Sequence, residues 1–142
     1  MLVEGAFVKT LFPTREHPRR PGPFHIGYCL GVAPPLTLVA YTSSQPWPAA
    51  TPIPLGVRIF GAKEAAALNQ RPFVLYLNRL AKLPITADWF PELQAPTQGI
   101  VAAATARLRE ELLGVVSDLL RRHRETIERL TANHWQTISD CR

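Results

Sequence analysis

The sequence has few of the features that mark secreted, membrane or cofactor-dependent proteins. Its two cysteines, Cys29 and Cys141, lie far apart and do not form a disulfide framework, so a reducing cytoplasm is the expected location. No apolar run approaches the roughly 20 residues that span a bilayer. The N-terminal region carries Glu4 and no basic segment, so a signal peptide is not expected either. Walker, dinucleotide-binding, HExxH and CxxC motifs are missing as well, which predicts neither a metal nor an organic cofactor.

The composition that is present indicates one basic domain with two different parts. The chain has 142 residues, 46% of them hydrophobic, which is enough for one domain with a real core. A net charge of +5 permits a polyanionic partner such as RNA or DNA without requiring one. Fourteen prolines, none after Pro96, favour short strands and turns before that point. We therefore predict an α+β, mostly β domain over residues 1–142, in which residues 97–131 form a helical part that packs on residues 1–92.

Alternating apolar and polar residues predict the strands of the first part. The clearest case is the segment 24–32, where large apolar residues alternate with His25, Gly27 and Cys29. Its two glycines, Gly27 and Gly31, indicate close backbone approach or the strong coiling of a small barrel. Further strands are predicted over residues 3–11, 36–41, 55–60 and 73–78, with a helical turn at residues 62–68.

The second part has a helical pattern. Pro96-Thr97-Gln98 is typical of a helix start, and the apolar residues that follow keep helical spacing. They are Val101, Ala104, Leu108, Leu112, Val115, Leu119, Ile127 and Leu130. Gly114 weakens the middle of this segment, so one long helix and a pair of helices both fit the pattern.

Two segments carry candidate functional side chains. The strand over residues 36–41 ends in the hydroxyls of Thr42, Ser43 and Ser44, followed by Trp47. Such hydroxyls either present polar groups to a substrate or simply satisfy the last backbone groups of a strand. The second segment is the loop over residues 14–23, which contains Arg15, Arg19, Arg20 and His17. It reads equally well as a phosphate-binding loop and as a solvated loop stiffened by proline.

The order of these features resembles the PemK/MazF-like toxins, the ribosome-independent endoribonucleases of type II toxin–antitoxin pairs. The resemblance covers roughly residues 3 to 120. The segments that carry it are Glu4–Lys9 with Phe12-Pro13, Arg20-Pro21-Gly22-Pro23, the strand to Gly31-Val32, Leu38–Ser43 and Phe73–Pro84.

This resemblance implies an SH3-like β-barrel with a long C-terminal helix or helix pair, usually a homodimer, that cuts single-stranded RNA without a metal. A cognate antitoxin protein is the further implied partner. In the family, an arginine of an Arg-Pro motif and the Thr or Ser that ends the next strand carry the chemistry. Thr42 matches the second position, with Ser43 beside it. Arg20-Pro21 matches the dipeptide, but a second register places His25 where the arginine stands.

The residue types suit this chemistry. Cleavage of RNA through its own 2′-hydroxyl needs a base, a cation for the developing charge on phosphorus, and an acid. Arg20 can supply the cation, His25 the acid or base, and Thr42 or Ser43 a hydrogen bond to phosphate. Additional RNA contacts are predicted for Arg15, Arg19 and Trp47. The alternative is a catalytically degenerate SH3-like module that binds nucleic acid or a partner protein.

Overall fold

The segments with alternating apolar and polar residues form a curled antiparallel sheet, which is accompanied by two helices. The computed structural model describes residues 2–14 and 16–122, together with the backbone of residues 135–137. The elements, in chain order, are β1 (Ala6–Leu11), β2 (Phe24–Ala33), β3 (Leu36–Ser43), β4 (Val57–Phe60), α1 (Ala62–Ala66), β5 (Phe73–Pro84), β6 (Ile100–Ala103), α2 (Ala106–Arg122) and β7 (Trp135–Thr137). The prediction of an α+β, mostly β chain is confirmed.

The sheet is continuous and bent by irregular pairing. Six strands are hydrogen-bonded in the order β4-β5-β3-β2-β1-β6, and β7 adds to β5. The register shifts between Phe7 and Val8, between Cys29 and Gly31, and between Ala40 and Tyr41. Because each such irregularity increases the local twist of a strand pair, the six strands curl into a half-barrel.

Each face of the curled sheet contacts a different cover. The first face packs against the helices, and its cluster includes Phe7, Tyr28 and Leu75 with Leu112 and Leu119 of α2. The second face is partly covered by the loop between β5 and β6. That loop buries Trp89 and Phe90 against Val8, Val39 and Leu83. Alternation along β2 and β3 therefore decides which side chains enter the helix-side core and which face the other way.

A bulge in β5 is the irregularity that shapes the candidate site. Tyr41 of β3 pairs with Tyr76, but its neighbour Ala40 pairs with Leu80, so residues 77–79 have no partner in the β3 register. The backbone N–H of Leu77 instead donates to the carbonyl of Gly56 at 2.7 Å. Gly56 has φ +97°, and a Cβ there would meet Asn78 at 2.9 Å, so this close approach requires glycine.

The start of the C-terminal helix is where the sequence prediction was wrong. The segment 100–103 is strand β6, paired with β1, and the helix begins at Ala106 instead of near residue 97. The hydroxyl that caps it belongs to Thr105, whose Oγ1 accepts from the N–H of Leu108 at 3.2 Å. Thr97 accepts instead from Gly99, a residue in the left-handed region at φ +79° that turns the chain into β6.

The helix α2 runs without a break through Gly114 to Arg122. The split at Gly114 that the sequence left open therefore does not occur, and residues 123–131 of the predicted helical part lie outside the described residues. Neither helix in the described part of the chain is long and apolar enough to cross a bilayer.

Candidate functional site

Thr42 lies at the predicted strand end, and its hydroxyl is used in a hydrogen bond within the sheet. The residue is 4% exposed, and its Oγ1 donates a hydrogen bond to the carbonyl of Ile26 on β2. Thr42 shares its face of β3 with Ala40, which belongs to the helix-side core, so the side chain points toward that core. The expectation that Thr42 presents a free hydroxyl to substrate is corrected: the hydroxyl joins β2 to β3.

Ser43, the second predicted hydroxyl, closes the strand. It is half-buried, and its Oγ accepts from the backbone N–H of Gln45 at 3.2 Å. This is the local side-chain to backbone hydrogen bond with which serine ends a strand. Ser43, like Thr42, therefore uses its hydroxyl to satisfy backbone groups at the end of the strand.

His25 is the predicted catalytic residue that the fold brings to a cluster of functional groups. Its ring centroid lies 4.5 Å from that of Tyr41, and its Nε2 lies 3.4 Å from the Tyr41 hydroxyl. Burial of the ring lowers the pKa of His25 below its usual value, a hydrogen bond to the Thr42 backbone opposes this shift, and the nearby charge of Arg79 adds to it. The imidazole is therefore neutral at neutral pH and has a lone pair available to accept a proton.

The predicted loop arginines do not join this cluster. Arg19 and Arg20 are exposed, and the backbone N–H of Arg20 closes a turn on the carbonyl of His17 at 3.3 Å. No contact in the described part of the chain links either arginine to His25 or Thr42. Arg15 lies outside the described residues. The sequence left open whether Arg20 or His25 occupies the family's arginine position. In the structure, His25 lies beside Thr42 and Arg20 does not.

Arg79 is the cation of the cluster, and sequence reasoning missed it. It follows the β5 bulge, and its guanidinium carbon lies 4.0 Å from the centre of the Tyr41 ring. Its Nε is buried and has no hydrogen-bond partner in the described part of the chain. Among residues 2–14 and 16–122, no carboxylate forms an ion pair with Arg79. A half-buried guanidinium without an anion is costly, which makes this position suited to a phosphate.

Aromatic rings extend the cluster across β3 and β5. Tyr41 lies 5.1 Å from Phe12 and 5.5 Å from Tyr76, and Tyr76 lies 6.2 Å from Trp47, measured between ring centroids. Phe12 is buried, whereas Tyr41, Tyr76 and Trp47 are half-buried. We call these three residues, with His25 and Arg79, the cationic aromatic surface. Trp47, predicted to contact RNA, therefore lies at one end of a surface that carries both π-faces and positive charge.

A pocket opens beside this surface, where β2 begins and β3 ends. Its volume is about 340 Å³, and it is bounded by Phe24, His25, Ile26, Thr42, Ser44, Asn69, Gln70, Arg71, Pro72, Phe73 and Val101. We call it the strand-end pocket. His25 lines the pocket and also contacts Tyr41, so the pocket and the cationic aromatic surface share a side chain.

Histidine, carboxylate and thiol groups elsewhere in the described chain are the remaining candidates for chemistry. No group of three or more His, Cys, Asp or Glu within the described ranges is placed to hold a metal ion. Cys29 is buried, with its Sγ 3.1 Å from the Thr37 hydroxyl. Burial raises the pKa of the Cys29 thiol, so this cysteine is a poor nucleophile. Cys141 lies outside the described part of the chain.

Comparison with known proteins does not indicate a function, so the proposal below is argued from the geometry of the site. No protein-family model matches the chain, and no curated protein matches it significantly.

Proposed function

We propose that this protein binds single-stranded RNA on the cationic aromatic surface and cleaves it through the RNA's own 2′-hydroxyl. The observation that carries the proposal is the cluster at Tyr41, where a neutral imidazole, a phenol hydroxyl and a guanidinium with no ion pair to any described carboxylate come together. Adjacent aromatic rings suit unpaired bases, because every base has a π-face that can stack on them. A basic chain with a net charge of +5 suits the same polyanion.

The cleavage step follows from the roles these groups can take. A neutral His25 accepts the proton of the 2′-hydroxyl, and the 2′-oxygen then bonds to phosphorus. The guanidinium of Arg79 stabilises the negative charge that develops on the phosphate oxygens. The bond from phosphorus to the 5′-oxygen breaks, and that oxygen takes a proton from water. The products are a 2′,3′-cyclic phosphate and a 5′-hydroxyl.

The finer assignments rest on the resemblance to PemK/MazF-like toxins. A curled antiparallel sheet followed by a C-terminal helix is compatible with the SH3-like barrel of that family. Membership of a toxin–antitoxin pair, a homodimer and a cognate antitoxin are predictions from the same resemblance. Metal-independent cleavage belongs with them, and it is tested by including a chelator in the assay.

A second candidate function, RNA binding without cleavage, is favoured by the state of Thr42. The family's hydroxyl position is buried here, and its only hydroxyl proton is donated to the Ile26 carbonyl. Arg20 does not supply the family's cation at that position. A degenerate member of the family would keep the binding surface and lack this pair of catalytic groups.

One assay separates the two candidates. Purified full chain is incubated with a varied pool of single-stranded RNA in a chelator, and the ends of any products are analysed. Cleavage to cyclic phosphates that His25→Ala and Arg79→Met reduce about 100-fold or more supports the enzyme. The matched control is Arg107→Met, which removes one positive charge from an exposed position at the start of α2. Intact RNA that the protein nevertheless binds supports the second candidate, and the absence of binding overturns both.

A further inference from the structure

We infer that the strand-end pocket receives one unpaired nucleobase of the bound strand and selects uracil or guanine, which have a keto oxygen where cytosine and adenine have an amino group. This inference rests on the proposed function, because it concerns the same RNA strand. It adds a specificity site beside the cleavage chemistry, with which it shares His25.

The pocket has the size and position for one base. Its volume of about 340 Å³ is at the small end of the range of roughly 300–1,000 Å³ typical of small-molecule sites. His25 contributes to the pocket and to the cluster at Tyr41. A base in the pocket therefore belongs to a nucleotide next to the phosphate that Arg79 holds.

The walls of the pocket are suited to stacking. Phe24, the first residue of β2, is 53% exposed, although its large apolar ring gains nothing from contact with water. It lines the pocket together with Phe73 and Val101. Unpaired bases of single-stranded RNA are commonly bound by stacking on such aromatic side chains. Stacking of a base on Phe24 gives a role to an exposed ring that does not pack in the core.

The polar side of the pocket offers donors. Gln70 and Arg71 both line it, and the amide nitrogen of Gln70 is buried without a hydrogen-bond partner among the described residues. Arg71 is exposed and has only donor groups. The terminal torsion of glutamine is broad, so a small rotation of the Gln70 amide can turn this nitrogen toward a ligand. An unsatisfied donor costs free energy that an acceptor on the ligand recovers.

The backbone holds these donors in place. Asn69 has φ +54°, and the N–H of Gln70 donates to the carbonyl of Ala65 at 2.9 Å, which closes the end of α1. Residues 69–71 are therefore presented to the pocket by a fixed turn. Uracil and guanine have a keto oxygen on the base edge, where cytosine and adenine have an amino group. The unsatisfied Gln70 nitrogen can donate to the keto oxygen of the first pair, whereas it faces an amino donor in the second pair.

The experiment measures binding of strands that cannot be cut. The probes are 2′-O-methyl oligonucleotides of adenine in which one central base is replaced by uracil, guanine or cytosine, followed by fluorescence anisotropy. Wild type is expected to bind the uracil and guanine strands about tenfold more tightly than the other two, as one good base-edge contact provides. Gln70→Glu, which replaces the free donor by an acceptor, is expected to remove this preference. Phe24→Ala is expected to weaken all four strands by a similar factor.

Controls keep the two proposals distinguishable. Gln94→Glu adds the same charge at an exposed position in the β5–β6 loop and is expected to keep the preference. Arg71→Met, at an exposed position, is a second test that does not depend on how Gln70→Glu folds. If all four strands bind equally and Arg79→Met weakens them, the pocket inference is overturned and the proposed function stands. If wild type binds none of the strands, both are overturned.

Discussion

Two arginines of this fold lie over aromatic rings, and carboxylates within residues 2–14 and 16–122 pair with one of them but not with the other. Arg58 on β4 lies 4.8 Å from the Phe60 ring and pairs with Glu64 at 2.6 Å and Glu111 at 3.0 Å. Its pKa is raised, chiefly by the hydrogen bond to Glu64. Arg79 on β5 lies 4.0 Å from the Tyr41 ring, and no described carboxylate pairs with it. The first arginine joins a strand to α1 and α2, whereas the second has no counter-charge in the described part of the chain.

The comparison teaches which region of the molecule is built for stability and which for a ligand. At Arg58 the donors are used within the protein, since Nη1 also donates to the carbonyl of Ile59 at 2.7 Å. At Arg79 the buried Nε has no acceptor among the residues that the structure describes. A half-buried cation lacking an internal partner is an unfavourable arrangement unless an anion binds there. The predictions below test this contrast, beginning with the largest expected effect.

Replacing His25 is expected to have the largest effect on the ligand-binding region. His25→Ala removes the proposed base, so the initial rate of RNA cleavage should fall about 100-fold or more. Binding of an uncleavable strand should change only a few-fold, because the phosphate and stacking contacts remain. His17→Ala, at an exposed histidine of the loop, is the control and should cleave like wild type. Equal losses of rate in both variants would contradict the assignment of His25.

Exchanging the two arginines for methionine should produce opposite results. Arg79→Met is expected to weaken RNA binding about tenfold and to reduce the slope of log affinity against log salt by about one. Its thermal stability should stay close to that of wild type.

Arg58→Met should leave RNA affinity unchanged and lower the free energy of unfolding by about 1 kcal/mol or less, because Glu64 and Glu111 are half exposed to water. Salt titrations and chemical unfolding of both variants give the comparison. If Arg58→Met weakens RNA binding as much as Arg79→Met does, the contrast between the two regions is lost.

Thr42 should respond as a structural residue. Thr42→Val keeps the shape but leaves the Ile26 carbonyl without its donor, so unfolding should become easier by about 1–3 kcal/mol. Ser43→Ala, beside it on the half-buried strand end, should cost less than about 1 kcal/mol. Chemical unfolding measures both values. A Thr42→Val variant of unchanged stability that has lost cleavage would show that the hydroxyl acts on substrate instead.

The smallest expected effect is a change in the titration of His25. Burial and the charge of Arg79 both lower its pKa. Arg79→Met removes the second cause, so the pKa should rise toward the usual value while remaining below it. Because the proposed base must be neutral, the acid limb of the cleavage rate should move to higher pH in the same variant. NMR titration of the imidazole protons measures the shift, and a pKa that falls or stays constant would contradict the placement of Arg79.

The sequence predicted the sheet well because its evidence is local. Alternation along residues 24–32 placed His25 on the face opposite the large apolar side chains, and the structure has it there. The same periodicity puts Thr42 on the face of Ala40, but the pattern does not show that this face packs against the helices. The exposure of a strand-end hydroxyl depends on what packs against it, which the pattern of one strand does not contain.

Arg79 could not be predicted from the sequence because its position depends on a long-range contact. Residues 73–78 predict a strand that residues 79–84 either continue or leave, and nothing in them marks a bulge. The bulge exists because Leu77 bonds to Gly56, a residue brought close by the pairing of β4 with β5. The helix start was missed for a similar reason: residues 100–103 fit a helical period, and only their pairing with β1 makes them a strand.

The account depends most on where the RNA lies, and photo-crosslinking tests this directly. An uncleavable single strand that carries 4-thiouridine is bound to the full chain and irradiated, and the crosslinked peptides are identified by mass spectrometry. We predict crosslinks to β3 and β5, at Tyr41 and Tyr76, and to Trp47, all of which Arg79→Met should reduce. Crosslinks confined to the arginine loop over residues 14–23 or to α2, and unaffected by Arg79→Met, would contradict the account.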